Sequence, residues 1–180
     1  IADAVADVHE QGLVHRDLQP SNILVNLTTG EVKIGDLGAA CIPSAHQPLF
    51  LSPHTERSLP YLSPEQTGRT DRPIDARADL YALGALAYEM LTGQPPFTGN
   101  NAQAVLAAHV TMIPATVTSH RPAVPPALEV LVMRCLEKHA ADRWQRANEL
   151  LPPVSATSLN FVSSIIAPWT GSSTGSFPLV

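Results

Sequence analysis

The 180-residue chain has two cysteines, fewer basic than acidic side chains and no long apolar run, and each scarcity excludes something. Cys41 and Cys135 form no CxxC pair and no framework of the kind that staples small secreted folds, so free thiols in a reducing compartment, the cytoplasm, are expected. Eleven Lys and Arg against 16 Asp and Glu give a net charge of −5, which offers no footprint for a nucleic-acid backbone or an anionic membrane. No apolar stretch approaches the roughly 20 residues that cross a bilayer, so no membrane segment is expected within the chain. No charged signal-type segment opens it either. The first residue is Ile1, already inside a helical pattern, which predicts a piece of a longer protein.

What is present suffices for one core. Hydrophobic side chains make up 44% of the sequence and charged ones 15%, the balance of a globular domain rather than a disordered chain. Ile1, Val5 and Val8 fall on one helical face, with Gly12 placed to end the helix. Ile23-Leu24-Val25 and Val32-Lys33-Ile34 flank Asn26–Gly30 and predict a hairpin. Residues 38–64, with Pro43, Pro48, Pro53, Pro60 and Pro64, show neither period and read as a long irregular segment. Ala76 to Leu91 is apolar nearly all round and stops at Gly93, as a buried helix does. Further helices are expected near 101–110, 126–137 and 143–151. Residues 152–180 carry no charge and are rich in Ser, Thr, Gly and Pro, the composition of a linker or tail. The fold class is therefore mainly α with a short β-hairpin.

Chemistry concentrates in His15-Arg16-Asp17-Leu18-Gln19-Pro20-Ser21-Asn22, followed by Asp36-Leu37-Gly38, Ser63-Pro64-Glu65, Asp79 in a DLYALG run, and Arg143. In this order these residues resemble the large, C-terminal lobe of the eukaryotic-like protein kinases, and YLSPEQTGR and LEKHAADRWQ resemble the bacterial serine/threonine branch. The resemblance covers residues 1–151 and implies one part of an α+β two-lobe fold. It implies transfer of the ATP γ-phosphate to a protein hydroxyl, with ATP, Mg²⁺ and a protein substrate as the partners. Asp17 is then the base, and Asn22 and Asp36 are the metal ligands that also hold the nucleotide. Gln19 stands where most serine/threonine kinases carry Lys, and a neutral amide cannot neutralise developing charge.

The resemblance extends to regulation and structure. Arg16 is the type of arginine that pairs with a phosphorylated residue of the segment between Asp36 and Glu65, where Ser44, Ser52, Thr55 and Ser58 are candidate acceptors. Ser58 aligns with a residue whose hydroxyl faces the catalytic Asp, and Arg57 replaces the usual Gly. Glu65 and Arg143 are expected as a buried structural ion pair, and Asp79 as an acceptor of backbone N–H groups from the catalytic loop. His15 and Leu37 are expected to pack beneath the site. The other histidines, His9 among them, show no metal-ligand spacing and receive no role.

No Gly-rich strand pair and no strand lysine of the small lobe precedes His15, so these residues alone are expected to transfer phosphate negligibly. The parent protein is expected to continue through the linker toward a membrane or sensor region. A pseudokinase scaffold, suggested by Gln19 and Arg57, is the alternative from a different class. Small-molecule phosphotransferases share an Asp-plus-Asn loop but lack the Ser-Pro-Glu element.

Overall fold

A computed structural model describes residues 1–26, 28–42 and 55–150 of the chain. Ser44, Ser52 and the expected tail lie outside the described residues, as does the Thr55 side chain.

Helix α3 (Ala76–Thr92) is the centre of the core. Its start is fixed by Asp75, whose carboxylate accepts Arg77 N at 2.9 Å and grips the Arg77 guanidinium at 2.6 Å. Its end is fixed by Gly93, at φ 82°, the left-handed conformation that glycine adopts without strain. Leu80, Tyr81, Leu86, Tyr88 and Leu91 are buried on several sides of it. Helix α6 (Pro126–Cys135) packs along α3 through Leu128, Val132 and Cys135. Helix α1 (Ala2–Glu10) adds Val5 to the same cluster.

Strands β1 (Ile23–Val25) and β2 (Val32–Ile34) pair antiparallel with Ile23 opposite Ile34 and Val25 opposite Val32, the expected hairpin. Asn26 shapes its turn by accepting Thr28 N at 2.9 Å and Thr29 N at 3.2 Å. A short helix α2 (Thr55–Ser58) leads into helical turns at Leu59–Tyr61 and Pro64–Thr67, so the described end of the proline-rich segment is locally helical rather than irregular. Helix α4 (Ala102–Thr111), capped by the Asn101 side chain, and the single-turn α5 (Val117–His120) complete the helical set. None of the helices among the described residues is long and apolar enough to cross a membrane.

Two expectations are corrected. The helix over 143–151 is a single tight turn at Ala147–Leu150, preceded by extended backbone at Arg143. The Gln145 amide takes the carbonyls of Ala140, Ala141 and Arg143, the last being an acceptor that a helix over 143–151 would need for its own first turn. Leu37 does not pack beneath the site: it is 51% exposed in the turn Leu37–Ala39. In addition, α6 stops at Cys135, two residues before the expected 137.

The core holds two features with measurable consequences. A Cβ on Gly84 would run into the Cys135 side chain and lie 3.4 Å from the Cys135 carbonyl carbon, so α3 and α6 touch where no side chain separates them. His109, on the last turn of α4, is fully buried; its Nε2–H donates to Leu59 O at 2.9 Å and its Nδ1 accepts the Tyr81 hydroxyl at 2.8 Å. Both nitrogens are thus used by a neutral ring. Burial, with Lys138 nearby, pulls its pKa from 6.5 down to about 4.

Gly84→Ala should lower stability by about 1–3 kcal/mol, because overpacking at Cys135 outweighs the gain of about 1 kcal/mol in helix propensity; thermal denaturation reads the sign. For His109 the unfolded chain binds the extra proton below pH 6.5 and the folded chain only near pH 4. Stability from this group is complete above pH 6.5 and lost as pH falls toward 4, by about 3 kcal/mol at most. Urea midpoints measured across this range should fall less steeply for His109→Gln than for the unsubstituted protein.

Candidate active site

The loop between α1 and β1 is built outward from Asp79, a carboxylate 1% exposed on α3. Its Oδ2 accepts His15 N at 2.8 Å and its Oδ1 accepts Arg16 N at 2.8 Å. His9, at the end of α1, adds a third donor, Nε2 at 2.9 Å from Oδ2. A buried carboxylate is tolerable only with such donors. The bonds also hold Arg16 at φ 70°; it and Asp36, at φ 57°, are the non-glycine residues with positive φ among those described. Left-handed backbone at such residues costs on the order of 1 kcal/mol or more and concentrates where function requires a fixed geometry.

His15 is buried and joins loop to hairpin. Its Nε2 donates to Gly35 O at 2.9 Å, which leaves Nδ1 unprotonated to accept Asp17 N at 3.3 Å. Asp17 follows, with Oδ2 accepting Gln19 Nε2 at 2.9 Å and Asn22 Nδ2 at 3.2 Å. Asn22 Nδ2 also donates to Asp17 O at 2.8 Å, so the five-residue step from Asp17 closes on itself. No donor among the described residues occupies Asp17 Oδ1.

Gln19 is buried, and its amide lies 3.4 Å from Ser58 Oγ, linking Ser58 to Asp17 through one side chain. Arg57, one residue earlier, is exposed. Thr55 contributes the first backbone position of α2. The Arg16 guanidinium reaches the start of the following segment, with Nη1 3.6 Å from Cys41 Sγ, and Cys41 pairs with Val14 as an isolated bridge.

The hairpin brings Asp36 to the same edge. Gly35 N donates to Asn22 O at 2.8 Å, continuing the strand register, so Asp36 begins one residue beyond the partner of Asn22. The Asp36 carboxylate is exposed apart from a 3.3 Å bond from Gly38 N. Among the described residues, Asn22 Oδ1 has only a 3.4 Å contact from the Ser21 hydroxyl. These two hard oxygen donors suit Mg²⁺, which binds through one or two protein oxygens and takes the rest of its shell from phosphates and water. Asn22 and Asp36 are the residues that would hold such an ion with its nucleotide. No group of three His, Cys, Asp or Glu forms an all-protein cage among the described residues.

Glu65 and Arg143 lie apart from this cluster and form a buried pair, with Nη1 to Oε1 at 2.6 Å and Nη2 to Oε2 at 2.8 Å. Arg143 is wholly buried; its remaining donors reach Glu137 O, Arg77 O and Lys138 O, and its guanidinium lies 5.0 Å from the Tyr81 ring centroid. Every sequence-selected residue whose side chain is described therefore has a defined place. Arg16, Asp17, Gln19, Asn22 and Ser58 are brought together, and Asp36 shares their edge. Glu65 and Arg143 anchor the segment at a distance.

Two residues escaped the sequence reading. Gln66 donates Nε2 to Arg16 O at 2.7 Å while its Oε1 accepts Ser63 N and Oγ at 3.2 and 2.9 Å. Its signal was available, because Ser63-x-x-Gln66 is a capping-box pattern. His9 holds Asp79, and its only local signal is its position four residues after the buried Val5.

The family model described as "Protein kinase domain" matches residues 1–153. A probable serine/threonine-protein kinase of Corynebacterium efficiens is 35% identical over 168 residues, 91% of this chain and 25% of its own. Serine/threonine-protein kinase Pkn1 of Myxococcus xanthus is 40% identical over 147 residues, 80% of this chain and 21% of its own. Serine/threonine-protein kinase PknB of Mycobacterium tuberculosis is 36% identical over 154 residues, 83% of this chain and 24% of its own. The chain thus spans about a quarter of the length of the curated relatives it matches.

Glu65→Gln should destabilise the fold by about 3–5 kcal/mol, since it leaves a buried guanidinium without its counter-charge. The double replacement Glu65→Leu with Arg143→Met should cost less than the single one. Guanidinium-chloride denaturation of the three proteins checks the order.

Proposed function

The chain belongs to the protein kinase family, and from that premise we propose that residues 1–151 are the large lobe of a protein serine/threonine kinase whose activity resides in the longer protein. One observation carries the reading: Gln19 and Asn22 converge on a single oxygen of Asp17, leaving the other without a donor among the described residues. A substrate hydroxyl that donates to Asp17 is oriented for attack on the γ-phosphorus of ATP. The oxygen–phosphorus bond to the substrate forms, the bond to the β-phosphate bridge breaks, and the hydroxyl proton passes to Asp17. Mg²⁺ supplies neutralisation of the phosphates when bound, and Asn22 and Asp36 are its holders in this reading.

Gln19 spends its amide donors on Asp17 and Ser58 and brings no charge to the transferring phosphate. Arg16, next to the base and beside Cys41, is suited to a phosphorylated residue of the segment it reaches, with Thr55 and Ser58 as candidates. Leu24, 60% exposed on the hairpin, leaves apolar surface suited to the remainder of the full-length protein. A binding scaffold without transfer is the second reading, favoured by Gln19 and Arg57.

Asp17→Asn in the full-length protein should lower phosphate transfer from labelled ATP to a protein acceptor roughly 10²–10⁴-fold, the range supplied by a positioned general base. Retained transfer would remove Asp17 from the chemistry. Absence of transfer by the unsubstituted protein, with partner binding kept in both forms, would favour the scaffold.

A further inference from the structure

Asp17 is aimed by the residue before it. Arg16 sits in the left-handed region at φ 70°, a conformation that a non-glycine residue keeps only where its surroundings over-determine it. Its N–H is fixed by Asp79 Oδ1 at 2.8 Å. Its carbonyl is fixed from the opposite side, by Gln66 Nε2 at 2.7 Å. The peptide that leads into Asp17 is therefore held at its N–H by His15 within the loop and at its carbonyl by a side chain outside it.

Gln66 is well suited to that task. It is buried, and its amide has one orientation, because Oε1 faces two donors of Ser63 and Nε2 faces a carbonyl. It directly follows Glu65, which Arg143 pins to the helical core through two bonds. The end of the segment is thus rigid where it touches the loop. A carbonyl can only accept, so the contact requires a donor at this position, and an isosteric carboxylate would oppose oxygen to oxygen.

We infer that Gln66 is a positioning residue for phosphoryl transfer, holding the Arg16 carbonyl so that Asp17 presents its carboxylate in the reactive orientation. The inference rests on the kinase reading and assigns Gln66 no contact with substrate. Ser63 serves as the internal control, since it shares the clasp with Gln66 but does not reach Arg16.

The test uses the full-length protein with MgATP and a protein acceptor, comparing the unsubstituted form with Gln66→Glu, Gln66→Met, Ser63→Ala and Asp17→Asn. Gln66→Glu and Gln66→Met should lower kcat roughly 10- to 100-fold, as displacement of a reacting group does, with KM for ATP unchanged. Ser63→Ala should keep most of kcat. Hydrogen exchange of the peptide spanning residues 13–20 should quicken in both Gln66 variants while that of α3 does not, a readout that holds even where a variant is less stable. Unchanged kcat, a loss shared equally by Ser63→Ala, or a loss matched by quickened exchange throughout α3 would each overturn the inference. Failure of the kinase reading is recognised separately, by an unsubstituted protein without transfer or an Asp17→Asn variant that retains it, and takes the inference with it.

Discussion

Asp79 accepts backbone N–H groups from two successive residues of the loop, and the rest of the site descends from that pair of bonds. The carboxylate belongs to α3, the most deeply buried helix, so the loop inherits its position from the hydrophobic core rather than from its own sequence. His9 closes the arrangement from α1. His15 extends it to the hairpin through Gly35, and the hairpin carries Asp36 back toward Asn22. Apolar burial in the helices is thereby converted into the directional placement of a few oxygens on an otherwise irregular edge.

The buried charges are handled in three ways. Asp79 is satisfied by N–H donors without a formal bidentate partner, and Glu65 by a guanidinium whose other donors are all taken up by carbonyls. Lys138 is different: its ammonium is buried without a hydrogen-bond acceptor among the described residues and lies 4.2 Å from the Phe97 ring centroid. Burial, followed by the nearby Arg143, brings its pKa down to about 8. An aromatic face only partly replaces water around a cation, which accounts for the direction of that shift.

What could be read from the sequence was what local rules control. The hairpin bounds followed from β-branched runs around an Asn- and Gly-containing turn, and the span of α3 from its apolar residues and Gly93. Asp17, Asn22 and Asp36 stood out through the resemblance of their motifs to the kinase family, and the structure joins the first two by direct hydrogen bonds. Gln66 was hidden because its partner, Arg16, is 50 residues away in sequence, and no short-range pattern encodes that contact. His9 was hidden for the same reason, with Asp79 70 residues distant. At 143–151 helical expectation failed because the Arg143 side chain is drawn inward to Glu65 and Gln145 captures nearby carbonyls, tertiary and local polar bonds that override propensity. Leu37 failed differently, since apolarity alone does not say which face of a turn meets the core.

Where Gly84 meets Cys135, α3 and α6 have no compliant layer between them. Packed helices normally slide past each other by re-sorting side-chain rotamers, and a contact of main chain on Cβ offers none to re-sort. The two helices therefore behave as one beam under load. The hairpin rests on that beam through Ile23 and Ile34, and the loop before it is tied there by hydrogen bonds to Asp79.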